Sequence, residues 1–337
     1  MKIVQYAHQS TLGTIKRMGI LLHDNTIVDP NYTFAMEFER AGRFNPTERA
    51  NTYMPSSLFE LLSKFNNPMA LLEEAMGTYY FHQKIGLQNS LEDTPGSLML
   101  DEQLTSLACP IDKISTYRDF YSHEKHVKKG FEKRNEAVPQ EWYEIPVYYK
   151  GATTGFIGTG KEIIWPSFTN KLDYELELAA VIGKEGKNIR EEFALEHIFG
   201  FTILNDISAR DIQKKEMKCR LGPSKSKDFC SILGPVILTT DEFDNQEPRL
   251  LMQAFINNIK WSEGNSGDSH YSFAQMITFA SLDEWILPGD LIGSGTVGTG
   301  CGLEIDKWIK PGDVVELRVE KIGSLINTVG FPQKKDW

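Results

Sequence analysis

The chain has 337 residues, of which 41% are hydrophobic and 24% are charged, an ordinary composition for a globular protein. Its formal net charge of −10 repels phosphate backbones, so we expect no nucleic-acid partner. No apolar run reaches the ~18 residues of a membrane span, residues 1–5 lack the apolar core of a signal peptide, and four scattered cysteines match neither a disulfide framework nor a zinc site. We therefore expect a cytoplasmic protein with no membrane partner.

The first hundred residues are predicted to form a small unit. Three short apolar runs separated by turn residues predict a β meander. These runs are Ile3–Tyr6, Met18–Leu22 and Thr26–Val28. Ser57–Phe65 and Met69–Ile85 have helical spacing, and the polar segment Gln88–Pro95 is typical of a linker. We therefore predict a small N-terminal β-rich domain over residues 1–108 and a catalytic domain over residues 109–337.

The remainder of the chain is predicted to be mainly β with some α. Short strand-like runs follow turn signals such as Pro-Gly-Asp, and they do not alternate with long helices. This pattern favours a mixed β roll or sandwich over a doubly wound sheet. Two predicted helices, Tyr117–Arg134 and Phe273–Glu284, interrupt the strands. The strand-like runs are Leu176–Gly183, Ile198–Leu204, Val236–Thr240, Leu251–Asn257 and Val314–Glu320.

Two glycine-rich segments match nucleotide-binding motifs by spacing alone. Gly155–Lys161 is followed by Glu162, where a phosphate-binding loop needs Ser or Thr for its Mg²⁺. Gly293–Gly298 continues into Thr299–Gly302, whose glycines cannot open a good helix. We interpret the first segment as a glycine-rich turn and the second as a loop.

Carboxylates at strand positions point to a metal site. Glu175 and Glu177 lie two residues apart in a strand pattern and therefore share a face. Adjacent carboxylates repel each other, and a divalent cation between them would remove that cost. A solvated strand face is the alternative. Asp206 follows an apolar strand, either as a turn-forming residue or as a ligand at a point where side chains converge.

A further acidic residue lies in the predicted helix Tyr117–Arg134. Within a helix Asp119 and His126 are two turns apart and lie on one face. Asp119 would bring the number of carboxylates to four. Hard carboxylate oxygens suit Mg²⁺, Mn²⁺ or Ca²⁺ rather than zinc or copper.

Several motifs in a fixed order carry a family resemblance. They are Asp119-Phe120-Tyr121 with His126, Glu175-Leu176-Glu177, the run from Asn205 to Gln213, Leu221-Gly222-Pro223 with Lys227, the run from Ser294 to Gly298 with Glu304, and Asn327-Thr328-Val329. From about Ile114 to Gly330 the chain resembles the fumarylacetoacetate hydrolase family. The resemblance implies the mixed β fold of that family's catalytic domain, a small N-terminal β-barrel, a homodimer and a place in the degradation of aromatic compounds.

The resemblance also implies a role for each matching residue. The metal ligands, with Mg²⁺ as one candidate ion, are Asp119, Glu175, Glu177 and Asp206. The base that activates water is His126, and Glu304 orients it. The polar groups that assist catalysis are Lys227, Arg210 and Gln213. The substrate contacts are Tyr121, Tyr149, Thr296, Arg210 and Gln213.

Three positions depart from the family pattern. Met217 replaces a substrate-contacting Tyr of the fumarylacetoacetate-cleaving members, and a thioether cannot donate that hydrogen bond. Ser231 stands where the family holds a second ion with a Thr, which leaves a second site near Lys227 open. Several decarboxylating or isomerising relatives have a Glu three residues after the His, whereas position 129 here is Lys.

The predicted function is metal-dependent hydrolysis of a C–C bond in a small 1,3-dicarbonyl acid, of the fumarylacetoacetate or acylpyruvate type. The alternative is a decarboxylase, isomerase or hydratase that acts on a small 2-keto acid through a metal-bound enolate, because fold does not fix function. A non-enzymatic binding module is the more distant alternative, and it would not require His126 and Lys227 beside the carboxylates.

Overall fold

The computed structural model describes residues 1–10, 13–87, 97–99 and 107–334. The predicted linker Gln88–Pro95 lies outside these residues. The strands are β1 Lys2–Ser10, β2 Gly13–Leu21, β3 Thr26–Val28, β4 Ser97–Met99, β5 Tyr117–Phe120, β6 Tyr148–Gly151, β7 Phe156–Ile157, β8 Glu162–Trp165, β9 Leu172–Asp173, β10 Leu176–Ile182, β11 Gly186–Lys187, β12 Ile198–Asn205, β13 Ser208–Ala209, β14 Ser231–Thr239, β15 Leu251–Ile256, β16 Ile259–Asn265, β17 Trp285–Ile286, β18 Leu291–Gly293, β19 Val314–Val319 and β20 Gly323–Pro332.

Eight α-helices and four 3₁₀ helices complete the elements found in the described ranges. The α-helices are α1 Pro30–Arg40, α2 Pro46–Tyr53, α3 Leu58–Lys64, α4 Pro68–Lys84, α5 Glu124–Glu132, α6 Arg210–Lys218, α7 Phe273–Ala280 and α8 Gly302–Ile305. The 3₁₀ helices are Gln140–Tyr143, Glu191–His197, Thr240–Phe243 and Ser266–Asp268. Among these residues no helix is both long and apolar enough to span a bilayer.

One large mixed sheet organises the molecule. Its strands lie in the order β4-β3-β2-β1-β14-β12-β10-β18-β5-β6, and β7 pairs with β14 at the side. Most neighbours are antiparallel, but β18 runs parallel to β5. Strand β10 is buried along its whole length because both faces of the sheet are covered.

A second sheet and the N-terminal helices cover the two faces. The second sheet has the order β16-β15-β19-β20-β8. Leu178 of β10 belongs to the same core cluster as Leu317 of β19 and Leu325 of β20, so the two sheets pack face to face. The next residue, Ala179, belongs instead to a cluster with Leu61 on the opposite face. This arrangement confirms the predicted fold class, a mixed β sandwich that also contains helices.

The N-terminal strands extend the large sheet. The predicted meander is present as β1, β2 and β3, but β1 also pairs with β14. Helices α1 and α2 were not predicted. Asp29 begins α1 by accepting the backbone N–H of Tyr32 at 2.8 Å. The implied N-terminal β-barrel is wrong for the described residues, because the free edge of β1 pairs with a strand of the catalytic part. The domain division after residue 108 stays a prediction.

The segment Tyr117–Arg134 is not one helix. Its first four residues form β5, which lies between β18 and β6 with all four side chains buried. Helix α5 begins only at Glu124, with His123 as its N-cap residue. Pairing with two strands overrides the local helical pattern. Asp119 and His126 therefore do not share a helix face, and the fold brings them together by another route.

Candidate active site

Three buried carboxylates from neighbouring parts of the large sheet meet beside β5, β10 and β12. Asp119 lies on β5, Glu177 on β10, and Asp206 directly follows β12. The three residues offer oxygens that all lie within 4.8 Å of one another. Gly293 of β18 pairs with Asp119, and a Cβ at that glycine would lie 2.5 Å from Asp119 Oδ1. A glycine is therefore required beside the cluster.

The cluster of Asp119, Glu177 and Asp206 consists of carboxylates alone, so no member neutralises the negative charge of another. Burial, followed by the Asp206 carboxylate, raises the pKa of Asp119 well above its ordinary value. Burial and then the Asp119 carboxylate raise the pKa of Glu177 in the same way. Asp119 Oδ1 and Glu177 Oε2 are buried and have no hydrogen-bond partner among the described residues. Converging hard oxygens with unsatisfied lone pairs fit Mg²⁺, Mn²⁺ or Ca²⁺, so these residues could hold a divalent cation.

Glu175, the fourth carboxylate predicted as a ligand, forms ion pairs with two basic side chains. Its Oε1 accepts a hydrogen bond from Arg210 at 2.8 Å, and its Oε2 accepts one from the Lys227 ammonium. Lys227 also donates to Asp206 Oδ2 at 2.5 Å. Burial opposes ionisation of Glu175, but Lys227 and Arg210 lower its pKa to about 2. Lys227 thus links Glu175 to the cluster of three.

Three neutral hydroxyls contact the predicted metal ligands. Tyr149 donates to Asp206 Oδ2 at 2.6 Å, and Thr296 donates to Glu177 Oε1 at 3.1 Å. Ser231 donates to Asp206 Oδ1 at 3.3 Å. Two residues predicted to contact substrate therefore also orient carboxylates.

His126 and Glu304 form a buried pair. His126 Nδ1 lies 2.7 Å from Glu304 Oε1. The backbone N–H of Thr299 donates to Glu304 Oε2 at 2.9 Å. Burial acts to raise the pKa of Glu304, but the hydrogen bond and charge of His126, together with hydrogen bonds from Thr299 and Cys301, hold the pKa below its ordinary value. An ionised Glu304 fixes the Nδ1–H tautomer and leaves Nε2 of His126 free to accept a proton.

Two further residues predicted to contact substrate, Tyr121 and Gln213, lie against His126 and Arg210. The ring of Tyr121 lies perpendicular to His126, with centroids 5.3 Å apart. Gln213 follows Arg210 by three residues on α6, and its Oε1 accepts from Arg210 Nη1 at 3.0 Å. Met217, on the same helix, is 49% exposed. The structure thus brings the predicted residues into one region, while their roles stay proposals.

Asp173 is a site residue that the sequence analysis missed. It is fully buried, and its carboxylate accepts from Arg210 Nε at 2.8 Å. It also accepts from the backbone N–H of Gly302 at 2.8 Å and of Leu303 at 3.0 Å, at the start of α8. Because α8 carries Glu304, Asp173 connects the Arg210 side of the site to the His126 side. Asp173 lies two residues before Glu175 in the same acidic segment, and this spacing could have marked it as a candidate site residue.

Replacing Asp173 with asparagine should destabilise the protein strongly. One carboxylate oxygen becomes an NH₂ group that faces donors, and Arg210 loses a buried partner. Breaking a buried ion pair costs roughly 3–5 kcal/mol. The free energy of unfolding from urea titration measures the effect. A loss smaller than about 1 kcal/mol would mean that Asp173 does not join the two sides of the site.

His123, three residues before His126, is buried, unlike an ordinary surface histidine. It is 2% exposed, and its Nε2 has no partner among the described residues. Burial lowers its pKa to about 4. His123 is therefore a poor control for His126, because truncating it would open a cavity. The half-exposed Lys129, one turn after His126, is a better control.

Comparison with known proteins identifies the family. The profile described as "Fumarylacetoacetate (FAA) hydrolase C-terminal" matches residues 115–330. Oxaloacetate tautomerase YisK of Bacillus subtilis is 33% identical over 247 residues, covering 71% of this chain and 77% of that protein. Human mitochondrial oxaloacetate tautomerase FAHD2A is 31% identical over 197 residues, covering 58% of this chain and 61% of that protein.

Solved structures share the fold over nearly the whole chain. Fumarylacetoacetate hydrolase from psychrophilic Exiguobacterium antarcticum has a TM-score of 0.67 at 22% identity, covering 98% of this chain and 99% of that chain. Maleylpyruvate hydrolase from Sphingobium sp. SYK-6, solved with manganese(II) and pyruvate, has a TM-score of 0.67 at 19% identity, covering 99% and 100%. Together, the matched profile and the identity to YisK show that this chain belongs to the fumarylacetoacetate hydrolase family.

Proposed function

We propose that the protein is a divalent-cation-dependent tautomerase that moves a proton between carbon and oxygen in a small 2-oxo diacid of the oxaloacetate class. The observation that carries this proposal is the buried His126–Glu304 pair beside the carboxylate cluster. His126 is near enough to Glu175 for its charge to lower the pKa of that carboxylate. The 33% identity to a protein named oxaloacetate tautomerase supports the same choice.

A cation held by Asp119, Glu177 and Asp206, with Glu175 as the fourth candidate ligand, would polarise the 2-oxo group and favour its enol form. The unsatisfied oxygens of Asp119 and Glu177 support this assignment. The protein itself supplies the charge balance around the substrate. Lys227 and the Tyr149 hydroxyl both contact Asp206 and hold its carboxylate in place.

Arg210, Gln213 and Lys227 are proposed to bind the carboxylates of the diacid. Arg210 is fixed by Asp173 and Glu175, so its guanidinium loses little freedom when an anion arrives. Gln213 accepts a hydrogen bond from Nη1 through its amide oxygen. Each Nη atom carries two N–H groups, so a second donor on each can still reach an anion. A small diacid is favoured because Arg210 and Lys227 are buried, which leaves little room beside them for a large substituent.

His126 is proposed to carry the proton. In the keto form its Nε2 takes a proton from the carbon next to the 2-oxo group, and the electron pair moves to the carbonyl oxygen. The proton then passes from Nε2 to that oxygen and gives the enol. Glu304 stabilises the imidazolium that exists between the two steps. Tyr121 limits the orientation of the imidazole ring through its perpendicular contact.

Hydrolysis of a C–C bond, the reaction predicted first from the sequence, is the second candidate. The same free Nε2 can take a proton from water, whose hydroxide then adds to a carbonyl of a 1,3-dicarbonyl acid. The observation that favours hydrolysis is the residue at position 129. Several decarboxylating or isomerising relatives have a Glu there, whereas here Lys129 pairs with Glu132 and offers no carboxylate to His126. The homodimer, the cytoplasmic location and a role in aromatic degradation stay predictions.

The two reactions differ in their products. The full-length protein with Mg²⁺ should speed the loss of enol ultraviolet absorbance from oxaloacetate above a blank containing Mg²⁺ alone. No new acid and no carbon dioxide should form, and chelation of the metal should stop the effect. Cleavage of acylpyruvates into two acids, with ¹⁸O from labelled water in the new carboxylate, would support hydrolysis instead. Release of carbon dioxide together with pyruvate from oxaloacetate would support a decarboxylase.

A further inference from the structure

The His126–Glu304 pair has a third potential metal donor beside it. Cys301 is fully buried, and its Sγ lies 3.5 Å from Glu304 Oε1. The three residues offer one nitrogen, one sulfur and one oxygen that all lie within 4.8 Å of one another. This donor set differs in kind from the all-oxygen cluster of Asp119 and its neighbours.

We propose that His126, Cys301 and Glu304 form a second metal site that takes Zn²⁺ and blocks the base. Tetrahedral zinc with bonds of roughly 2.0–2.3 Å places its donor atoms roughly 3.3–3.6 Å apart. The sulfur and the carboxylate oxygen already have that separation. The 2.7 Å contact between His126 and Glu304 must widen by about 0.6–0.9 Å to reach that tetrahedral spacing. The imidazole nitrogen and the sulfur lie within 4.8 Å of each other. Three protein ligands then leave a fourth position for water or substrate.

The donor chemistry separates this site from the carboxylate cluster. Thiolate and imidazole ligands favour zinc, whereas carboxylates alone favour Mg²⁺ or Mn²⁺. On binding, the Nδ1–H and Sγ–H bonds break and the metal bonds to nitrogen, sulfur and oxygen form. Nε2 takes up a proton as Nδ1 loses its own, so the imidazole stays neutral and one net proton, that of the thiol, goes to solvent. The ion, one thiolate and one carboxylate are together neutral, which suits a buried position.

Occupation of this site would remove the base from catalysis. Glu304 would bind zinc instead of the Nδ1 proton, so it could no longer orient His126 or stabilise its cation. This consequence depends on the proposed function, but the binding itself does not. A spectroscopic test therefore separates a failure of the site from a failure of the proposed reaction.

The test uses full-length protein with Cys219→Ser, which removes the exposed thiol, in saturating Mg²⁺. Titration with Co²⁺, a spectroscopic substitute for zinc, should produce a near-ultraviolet thiolate-to-metal absorption band at one equivalent, and Zn²⁺ should remove it. Cys301→Ser in the same background should abolish the band. His126→Ala should weaken binding at least ~10–100-fold, the range seen even for outer-shell changes, and it tests the site if the serine variant does not fold.

Zinc inhibition gives the second measurement, scored against each variant's own Mg²⁺-dependent rate. Zn²⁺ should inhibit the Cys219→Ser protein at least ~10-fold more strongly than the Cys219→Ser/Cys301→Ser protein, since sulfur supplies the preference for a soft ion. Absence of a thiolate band with Co²⁺ would overturn the proposed site. A band without any difference in inhibition would overturn the proposed block of the base.

Discussion

Replacing His126 with alanine should lower kcat by ~10²–10⁴-fold, the usual loss when a general base is removed. The imidazole is the group in the site whose free nitrogen can accept a proton from substrate, because its other nitrogen is bonded to Glu304. Steady-state kinetics with saturating Mg²⁺ measure the change. Cation-dependent thermal stabilisation should persist, because the carboxylate cluster is untouched.

Lys129→Ala is the matched control on the same helix. Its half-exposed side chain pairs with Glu132 at 2.9 Å, and a surface pair of this kind contributes only about 0–1 kcal/mol to stability. The fold, and with it the rate, should therefore change little. Glu304→Gln should fall between the two, because it retains His126 but no longer stabilises its cation. A His126→Ala enzyme with near-normal kcat would show that another group carries the proton.

Replacing Glu177 with glutamine should abolish the stabilisation of the protein by metal. Without metal the variant should melt at the same temperature as the wild type or higher, since burial and the Asp119 carboxylate raise the pKa of Glu177 and make its charge costly. With Mg²⁺ or Mn²⁺ the wild type should gain stability and the variant should not, because a neutral amide is a weaker ligand. Thermal melts with and without metal measure both effects, and activity should be lost.

Glu191→Gln, at an exposed position in a 3₁₀ helix, controls for a general change in charge. It should melt like the wild type in both conditions. A Glu177→Gln variant that gains as much stability from metal as the wild type would place the cation elsewhere. A variant that melts much lower without metal would mean that Glu177 stabilises the fold by itself.

The strands and the carboxylates of the site were the parts of the molecule that could best be predicted from the sequence. Alternating or continuous apolar runs at Leu176–Gly183 and Ile198–Leu204 correspond to β10 and β12. For Asp206 the sequence left open a turn-forming residue or a ligand where side chains converge, and the structure places its carboxylate beside those of Asp119 and Glu177. Period and position are local properties, so one sequence suffices to detect them.

Pairing partners could not be predicted in the same way. Tyr117–Phe120 has no strand alternation, and it becomes a strand because β18 and β6 flank it. The N-terminal strands alternate as expected, but the pairing of β1 with β14 joins residues more than 200 positions apart. Such contacts depend on the whole fold rather than on local propensity.

The residues that support the site, Asp173 and Cys301, were the hardest to predict from the sequence. Asp173 and Cys301 carry no motif of their own, and their importance comes from what they contact. Asp173 accepts hydrogen bonds from Arg210 and from the start of α8, while Cys301 reaches Glu304. Buried polar groups of this kind are recognised only when their partners are known.

The most direct test of the central claim is the face on which carbon is protonated. The enol of oxaloacetate would be ketonised in D₂O by the Mg²⁺-loaded enzyme and trapped at once by malate dehydrogenase with reduced nicotinamide cofactor. If His126 delivers the proton to a substrate held in one orientation, the malate should carry deuterium in a single configuration at the former C3. Equal amounts of both configurations would mean that protonation occurs in solvent, and would contradict a tautomerase built on the His126–Glu304 pair.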